Sequence, residues 1–255
     1  MTSFFEDGFF IKKNIVPTQY IRAVESELLL VANLLDSSNN LTNLDDSWNY
    51  HKSINRARAG QLYNAFKHLC SVHKLATSQE LQSVLSNDCG IRVPALVDIN
   101  CRIDSSGEEK YLFGWHQDYW FSVCSPKAVV VWIPVTGLSP ENGGLEIISN
   151  KLTNSRIFKS KKNKDAYNSY ADAVLIDENV QHYSSTKITK LEVGDALLFS
   201  FDVLHKSLPV NSTSRSRFTI QLRFADFSDP EFTKNDYKPG IVSRNSVDYL
   251  IENKK

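Results

Sequence analysis

Residues 127–149, KAVVVWIPVTGLSPENGGLEIIS, are the stretch from which the fold class is read. Two short runs rich in apolar and β-branched residues, at 127–135 and 144–149, flank a segment with the turn residues Gly, Pro and Asn. Such runs between turn residues are typical of β-strands. Similar runs follow the same pattern at 92–103, 111–116, 195–201 and 217–224. The chain from about residue 91 is therefore predicted to form mainly antiparallel β-structure.

The part of the chain before residue 91 has helical periodicity instead. Apolar residues recur at three- and four-residue steps over 21–35, after a Pro-Thr pair that can start a helix. The same spacing predicts a second helix over 57–74 and a short third helix after Ser78, a favourable N-cap residue. Helices followed by strands indicate an α+β fold.

Length and composition favour one domain. The chain has 255 residues, 42% of them hydrophobic, which suffices for one large core. No repeat or linker interrupts it. We therefore predict a single domain over 1–255, with a helical part at about 15–90 and a β-core at about 91–225. A polar insert at about 151–190 is expected to form either a lid over a pocket or a surface excursion.

Charge and cysteine usage exclude several classes of protein. Lys plus Arg and Asp plus Glu both number 29, so no basic excess favours nucleic acid. No apolar run reaches the length of a signal peptide or a membrane span. The four cysteines form no CxxC pair, which argues against a zinc ribbon or a disulfide framework. We expect a cytoplasmic monomer or homodimer that binds neither membranes nor nucleic acid.

The segment GWHQDYWF at 114–121 contains a candidate metal site. His116 and Asp118 lie two positions apart, so on an extended strand both side chains would point to the same face. His205, at the end of an apolar run, is the preferred third ligand, and His182 in polar sequence is its rival. Two histidines and one carboxylate form the facial triad of non-haem Fe(II) oxygenases. The pair alone is weak evidence for a metal site because it recurs by chance in many sequences, and a buried core histidine is the more common alternative.

A positively charged side chain, that of an arginine, follows the distal histidine on the next predicted strand. Arg217 opens the run RFTIQLRF, in which Arg223 shares its face, and Arg215 competes with Arg217 by position. A guanidinium can hold a carboxylate through two hydrogen bonds. If this face is interior, Arg217 and Arg223 both reach the pocket, and if it is exterior, both are solvated.

These motifs together resemble the phytanoyl-CoA dioxygenase family of Fe(II)/2-oxoglutarate-dependent oxygenases. The resemblance begins at the segment EDGF, continues through WHQD and the Asn-Gly-Gly-Leu segment at 142–145, and ends with GDALLFSFDVLHKS and NSTSRSRFTIQLRF. It covers about residues 4–224 in the order of the family. The loop after the distal histidine is one residue longer than the commonest form, which keeps Arg215 open beside Arg217.

The resemblance implies a fold, an activity and a set of functional residues. The fold is a double-stranded β-helix, or cupin-like jelly roll, with supporting N-terminal helices. The cofactors are Fe(II), 2-oxoglutarate and dioxygen (O2), and the expected reaction is hydroxylation of a small molecule with release of succinate and CO2. The implied residues are the iron ligands His116, Asp118 and His205, and the co-substrate contacts Arg217, Trp132 and Ser207.

Alternatives remain for the outcome and for the substrate contacts. The same iron site could serve desaturation, cyclisation or epimerisation, or the fold could be a non-enzymatic cupin-like binding module. The carboxylate of Asp118 favours oxygenation over halogenation, since related halogenases have a small residue there. Five residues are candidate substrate contacts: Tyr119, Trp120, Asn100, Arg102 and Arg223. For the aromatic pair, an ordinary place in the core is the alternative.

Overall fold

Two antiparallel sheets share an apolar layer in the computed structural model, which describes residues 3–120, 125, 127–162, 174–176, 178–234 and 236–237. The larger sheet has the strand order β1-β8-β3-β10-β2 and the smaller one β7-β4-β9. The larger sheet comprises β1 (Phe9–Lys12), β2 (Pro94–Asp104), β3 (Val129–Pro134), β8 (Ala196–Ser200) and β10 (Arg217–Asp226). The smaller sheet comprises β4 (Gly144–Ile148), β7 (Thr186–Ile188) and β9 (Leu204–Leu208), and a separate pair comprises β5 (Ser160–Lys162) and β6 (Val174–Ile176). This is the cupin-like, mainly β, α+β fold that the sequence predicts.

Eight α-helices accompany the strands in the described part of the chain. They are α1 (Phe4–Asp7), α2 (Thr18–Leu35), α3 (Leu44–Ile54), α4 (Arg56–Phe66), α5 (Cys70–Ala76), α6 (Gln79–Cys89), α7 (Asn150–Thr153) and α8 (Pro230–Lys234). Helices α2 to α6 bury their apolar faces against one face of the larger sheet. Among the described helices, none combines the length and the apolar character that crossing a bilayer requires.

Strand β10 shows how the sheet separates the core from the site. Phe218, Ile220 and Leu222 pack in the cluster that joins the sheet to the helices. Because side chains alternate along a strand, the positions between them face the smaller sheet. Those positions are polar, and they pair in register with the polar positions of β2, as in Arg217 opposite Asp104 and Gln221 opposite Asn100. On β2 and β10 the face towards the helices is therefore core and the other face is a polar wall, whereas the inner face of β1, β3 and β8 contributes apolar residues to the layer between the sheets.

The prediction of one helix over 57–74 is wrong, because the chain forms α4 and α5 there. The backbone is extended at Leu69, where α5 is about to begin. The carboxylate of Glu27, on α2, accepts hydrogen bonds from the backbone and hydroxyl of Ser71 at 3.1 and 2.8 Å. The start of α5 is thus stabilised by a group from another helix, and periodicity within 57–74 carries no sign of it.

Two further segments differ from the sequence prediction. Helix α3 was not predicted, although Asn43 accepts a hydrogen bond from the backbone of Asp46 at 2.8 Å as an N-cap residue. The predicted strand over 111–116 is wrong, since a 3-10 helix covers Glu109–Tyr111 and His116 forms only an isolated bridge with His205.

The insert over 151–190 is structured where the structure describes it. Its ends contribute β5, β6 and β7, and Phe158, Ile176, Val180 and Ile188 are buried. Phe158, Ile176 and Val180 pack with Ile148 and Leu204 of the smaller sheet. Residues 163–173 and 177 lie outside the described residues, so a lid remains a prediction.

Candidate metal centre

Three potential metal ligands meet at the edge of the smaller sheet. The ligand atoms of His116, Asp118 and His205 lie within 4.8 Å of one another, and all three residues are buried. The Nε2 atom of His116 is 3.8 Å from Oδ1 of Asp118. The cluster has the two nitrogens and one carboxylate of a facial triad, which leaves the other side of a bound cation open.

Backbone pairing brings the two histidines together. His116 and His205 exchange two backbone hydrogen bonds of 3.0 Å, and their ring centroids are 4.2 Å apart. Asp118, in contrast, begins a short 3-10 helix, Asp118–Trp120. The prediction that both residues of the motif project from one strand is therefore wrong for Asp118. Its carboxylate reaches the histidines because the chain turns directly after the bridge.

Both imidazoles are oriented by the backbone. Nδ1 of His116 lies 2.7 Å from the carbonyl oxygen of Gly114, and Nδ1 of His205 lies 3.0 Å from that of Val203. A carbonyl oxygen can only accept, so each Nδ1 carries the proton and donates it. The lone pair of each ring is then on Nε2, the atom available to a cation.

The electrostatics of the cluster favour the protonation states that bind a cation. Burial, followed by the neighbouring His205, lowers the pKa of His116 to about 3. Burial also lowers the pKa of His205. Burial raises the pKa of Asp118, but the guanidinium of Arg223 and the two imidazoles outweigh it, so this pKa lies below its ordinary value. Two neutral imidazoles and one carboxylate therefore face each other at neutral pH.

Gln117 points away from the ligands and ties the motif to its surroundings. Its side-chain nitrogen donates to the carbonyl oxygens of Arg156 and Asp202 at 2.8 and 2.5 Å, and its oxygen accepts from the backbone of Phe158 at 2.9 Å. This structural role of Gln117 was not predicted from the sequence. The sequence feature that could have indicated this role is its position between the two candidate ligands His116 and Asp118.

Arg217 is buried on the polar wall, at the opposite end of β10 from Arg223. Its Nε and Nη2 donate to Oδ2 of Asp104 at 3.2 and 3.0 Å, and its Nη1 donates to the carbonyl oxygen of Leu208 at 2.8 Å. Leu208 belongs to β9, the strand that carries His205. Arg215 is exposed on the preceding loop, and His182 is exposed too. The geometry favours Arg217 over Arg215 and His205 over His182.

The glycine pair after Asn142 makes room for Arg217. Gly143 has a φ of +77°, and a Cβ atom there would lie 2.4 Å from the carbonyl oxygen of Pro209 and 2.6 Å from Nη1 of Arg217. A side chain would collide with the guanidinium and would also require a left-handed backbone. The Asn-Gly-Gly segment therefore shapes the cradle of the arginine, a role that the sequence alone did not reveal.

Asp104 is a second residue that sequence reasoning missed. It accepts from Arg217 and also from Nη2 of Arg102 at 2.5 Å, while Arg102 lies 4.8 Å from the ring of Phe113. Burial raises the pKa of Asp104, but the two guanidinium groups outweigh it and lower the pKa overall. The polar alternation in DINCRID, at 98–104, was the signal that could have found it.

The remaining candidates lie on β2, β3, β9 and the 3-10 helix that begins at Asp118. Trp132 is buried opposite Gln221, Ser207 is half-buried on β9, and Asn100 is half-buried on β2. Tyr119 and Trp120 are buried in the layer between the sheets, and the indole of Trp120 donates to the carbonyl oxygen of Phe158 at 3.1 Å. This favours the core alternative for both aromatics, and a substrate contact by either stays a prediction.

The chain matches the family model "Phytanoyl-CoA dioxygenase (PhyH)" over residues 4–219. The chain belongs to this family. Membership places it in the superfamily of iron- and 2-oxoglutarate-dependent oxygenases, and the His-Asp-His cluster lies within the matched residues. A search of the curated proteins finds no match.

Three solved enzyme structures share the fold of this chain at low sequence identity. The epimerase SnoN, in complex with Fe3+, alpha ketoglutarate and nogalamycin RO, has 13% identity and a TM-score of 0.58, with 88% of this chain and 80% of that chain covered. The non-heme monooxygenase ThoJ has 16% identity and a TM-score of 0.58, with 88% and 75% covered. EctD from S. alaskensis, with 2-oxoglutarate and 5-hydroxyectoine, has 16% identity and a TM-score of 0.54, with 89% and 74% covered.

The residues present fit an iron ion and 2-oxoglutarate. The donor set of two neutral imidazoles and one carboxylate suits Fe(II). The hydroxyl of Thr219, two positions after Arg217 on the same face, is buried without a hydrogen-bond partner among the described residues. A buried hydroxyl without a partner is costly, and a carboxylate held by Arg217 would supply the missing acceptor.

Proposed function

We propose that this protein is an Fe(II)- and 2-oxoglutarate-dependent dioxygenase that hydroxylates a small molecule. The observation that carries the proposal is the buried His116–Asp118–His205 cluster, whose groups have the protonation states that a divalent cation requires. Bound iron supplies the dioxygen chemistry that converts 2-oxoglutarate to succinate and CO2 and adds one oxygen atom to the substrate.

The residues of the chain bind, orient and exclude water. Nε2 of each histidine and one oxygen of Asp118 would hold the cation from one side. Arg217 would hold the distal carboxylate of 2-oxoglutarate through its Nη2, with Thr219 donating a second hydrogen bond. Trp132 and Ser207 would contact the co-substrate between these two ends, and the buried apolar layer of the two sheets would keep bulk water away.

The proposal is tested by metal binding, co-substrate binding and product formation. Anaerobic addition of Fe(II) and then 2-oxoglutarate should produce a weak visible charge-transfer absorption. His116→Ala and Asp118→Ala should each remove Fe(II) binding and succinate formation while the protein stays folded by circular dichroism. His182→Ala is the matched control, because this histidine lies outside the cluster. Succinate formation retained in both ligand variants would refute the ligand assignment.

A second outcome at the same site is epimerisation. SnoN, an epimerase, has 13% identity to this chain and shares its fold. This likeness is the reason to consider epimerisation. Product analysis separates the two, since hydroxylation adds one oxygen atom from labelled dioxygen and epimerisation adds none. Screening candidate metabolites for stimulated succinate release identifies the substrate for that analysis.

A further inference from the structure

Arg223 joins the metal-ligand candidate Asp118 to a second carboxylate, Asp98. Its Nε donates to Oδ2 of Asp118 and its Nη2 to Oδ1, both at 3.3 Å. Its Nη1 donates to Oδ2 of Asp98 at 2.9 Å. The arginine is 7% exposed, whereas the side chain of Asp98 is 50% exposed. All three guanidinium nitrogens are thus engaged by two carboxylates, one inside the site and one at its rim.

A β-bulge directly after the Arg223–Asp98 pair turns Val97 to the same face as Asp98. The register between β10 and β2 shifts after the Arg223–Asp98 pair, since Phe224 pairs with Leu96 and Val97 has no partner. Val97 packs against the inner apolar layer, and its neighbour Asp98 contacts Arg223. Bulges near functional sites commonly redirect a side chain in this way.

Asp118 needs an external support for its orientation. It begins a short 3-10 helix, and its side chain could present either oxygen, or both, to a cation. The grip of Arg223 on both oxygens restricts this rotation and leaves Oδ1 turned to His116, 3.8 Å from Nε2. An oxygen atom has two lone pairs, so Oδ1 can bind a cation while Oδ2 remains held.

The charge of Arg223 would by itself repel a cation, and Asp98 balances it. The guanidinium and Asp98 form a neutral pair, so the ligand is oriented without adding net positive charge beside the site. From the sequence, Arg223 was predicted to contact the substrate instead. Its nitrogens are all engaged by Asp118 and Asp98, which favours a role through the ligand.

We propose that Arg223 is a positioning residue that holds Asp118 in its cation-binding orientation, and that Asp98 anchors and neutralises Arg223. This inference rests on the proposed function, because it requires His116, Asp118 and His205 to bind a metal. Partners that orient metal ligands typically contribute 10- to 100-fold to metal affinity.

The test is titration of the full chain with Co(II) alone, without co-substrate, by calorimetry and by visible absorption. Arg223→Lys keeps the charge but loses the two-pronged grip. It should weaken Co(II) binding roughly 10- to 100-fold and alter the Co(II) spectrum. Arg223→Met should also weaken binding. Asp98→Asn should weaken it by a smaller factor, about two- to fivefold, since the ion pair that it removes is half-exposed. Arg215→Lys, on an exposed arginine, is the matched control and should bind Co(II) like the wild type.

Other results overturn the inference. If Arg223→Lys and Arg223→Met both bind Co(II) like the wild type, Asp118 needs no positioning by Arg223. If Arg223→Met binds Co(II) more tightly and Arg223→Lys binds it like the wild type, Arg223 acts only by repelling the cation through its charge. If the Arg223 variants do not fold, Asp98→Asn decides, and wild-type affinity and spectrum in that variant would refute the anchoring role. Failure of the wild type to bind one equivalent of Co(II), or unchanged binding by His116→Ala, would instead refute the proposed function.

Discussion

Substitution of Gly143 tests whether the space beside Arg217 is needed for 2-oxoglutarate binding. A Cβ atom at this position would lie 2.4 Å from the carbonyl oxygen of Pro209 and 2.6 Å from Nη1 of Arg217. Gly107, with a φ of +78°, offers a control for a positive φ alone, since no atom lies within 4 Å of its Cβ position. An alanine there bears a backbone cost of about 1–2 kcal/mol, and the cost at Gly143 is larger because its ψ of −142° lies in a region that is essentially restricted to glycine. Only Gly143→Ala must also displace the guanidinium or the strand beside it.

The expected difference follows from that displacement. If Arg217 loses one charge-assisted hydrogen bond to 2-oxoglutarate, the binding free energy falls by about 1.5–3 kcal/mol, or roughly 10- to 100-fold in Kd. We expect Gly107→Ala to lower the free energy of unfolding by about 1–2 kcal/mol and to leave 2-oxoglutarate binding unchanged. Gly143→Ala should lower the free energy of unfolding further and weaken 2-oxoglutarate binding.

Two measurements check this prediction. Urea unfolding gives the stability of each variant, and calorimetry with the Co(II)-loaded protein gives the Kd of 2-oxoglutarate. A Gly143→Ala variant that binds 2-oxoglutarate like the wild type would remove the cradle argument. Equal unfolding midpoints and slopes for the two variants would show that the contact with Pro209 and Arg217 relaxes without cost.

Three other predictions concern the cluster, its support and the co-substrate arginine. Because burial lowers the pKa of His116 to about 3, the unfolded chain binds this proton first as the pH falls below 6.5, so the metal-free fold should lose stability in that range. The loss from His116 alone between pH 7 and pH 4.5 is on the order of 2–3 kcal/mol. An equal free energy of unfolding in urea at pH 7 and pH 4.5 would contradict this prediction. Gln117→Met removes three hydrogen bonds and should destabilise the protein by about 2–4 kcal/mol, which a wild-type urea midpoint would disprove. Arg217→Lys should raise the KM for 2-oxoglutarate roughly 10- to 100-fold with little change in Co(II) affinity, and Arg215→Lys should change neither quantity; an effect only in the Arg215 variant would exchange their roles.

Much of the fold could be predicted because its signals are local. The alternation of apolar and polar residues in RFTIQLRF predicts a strand with one buried face, and β10 has this arrangement. The division of 57–74 into α4 and α5 could not be predicted in the same way. Glu27 stabilises the start of α5 from 44 residues away along the chain, and no local pattern records such a contact.

The sequence by itself determined the residue types of the site and their order. The spacing of His116 and Asp118, the later His205 and the strand that starts at Arg217 were sufficient to predict a metal centre and an anion-binding arginine. These signals are readable because each depends on the chemistry of the side chain and on short-range periodicity.

Only the tertiary structure decided how those groups are oriented. The pairing of Asp104 with Arg217 and of Asp98 with Arg223 depends on the register between β2 and β10, which are separated by more than 100 residues. The backbone bridge between His116 and His205 joins residues that are 89 positions apart in sequence. Ion pairs and ligand geometry are set by atoms a few ångströms apart in space, and that proximity exists only once the two sheets have closed on each other.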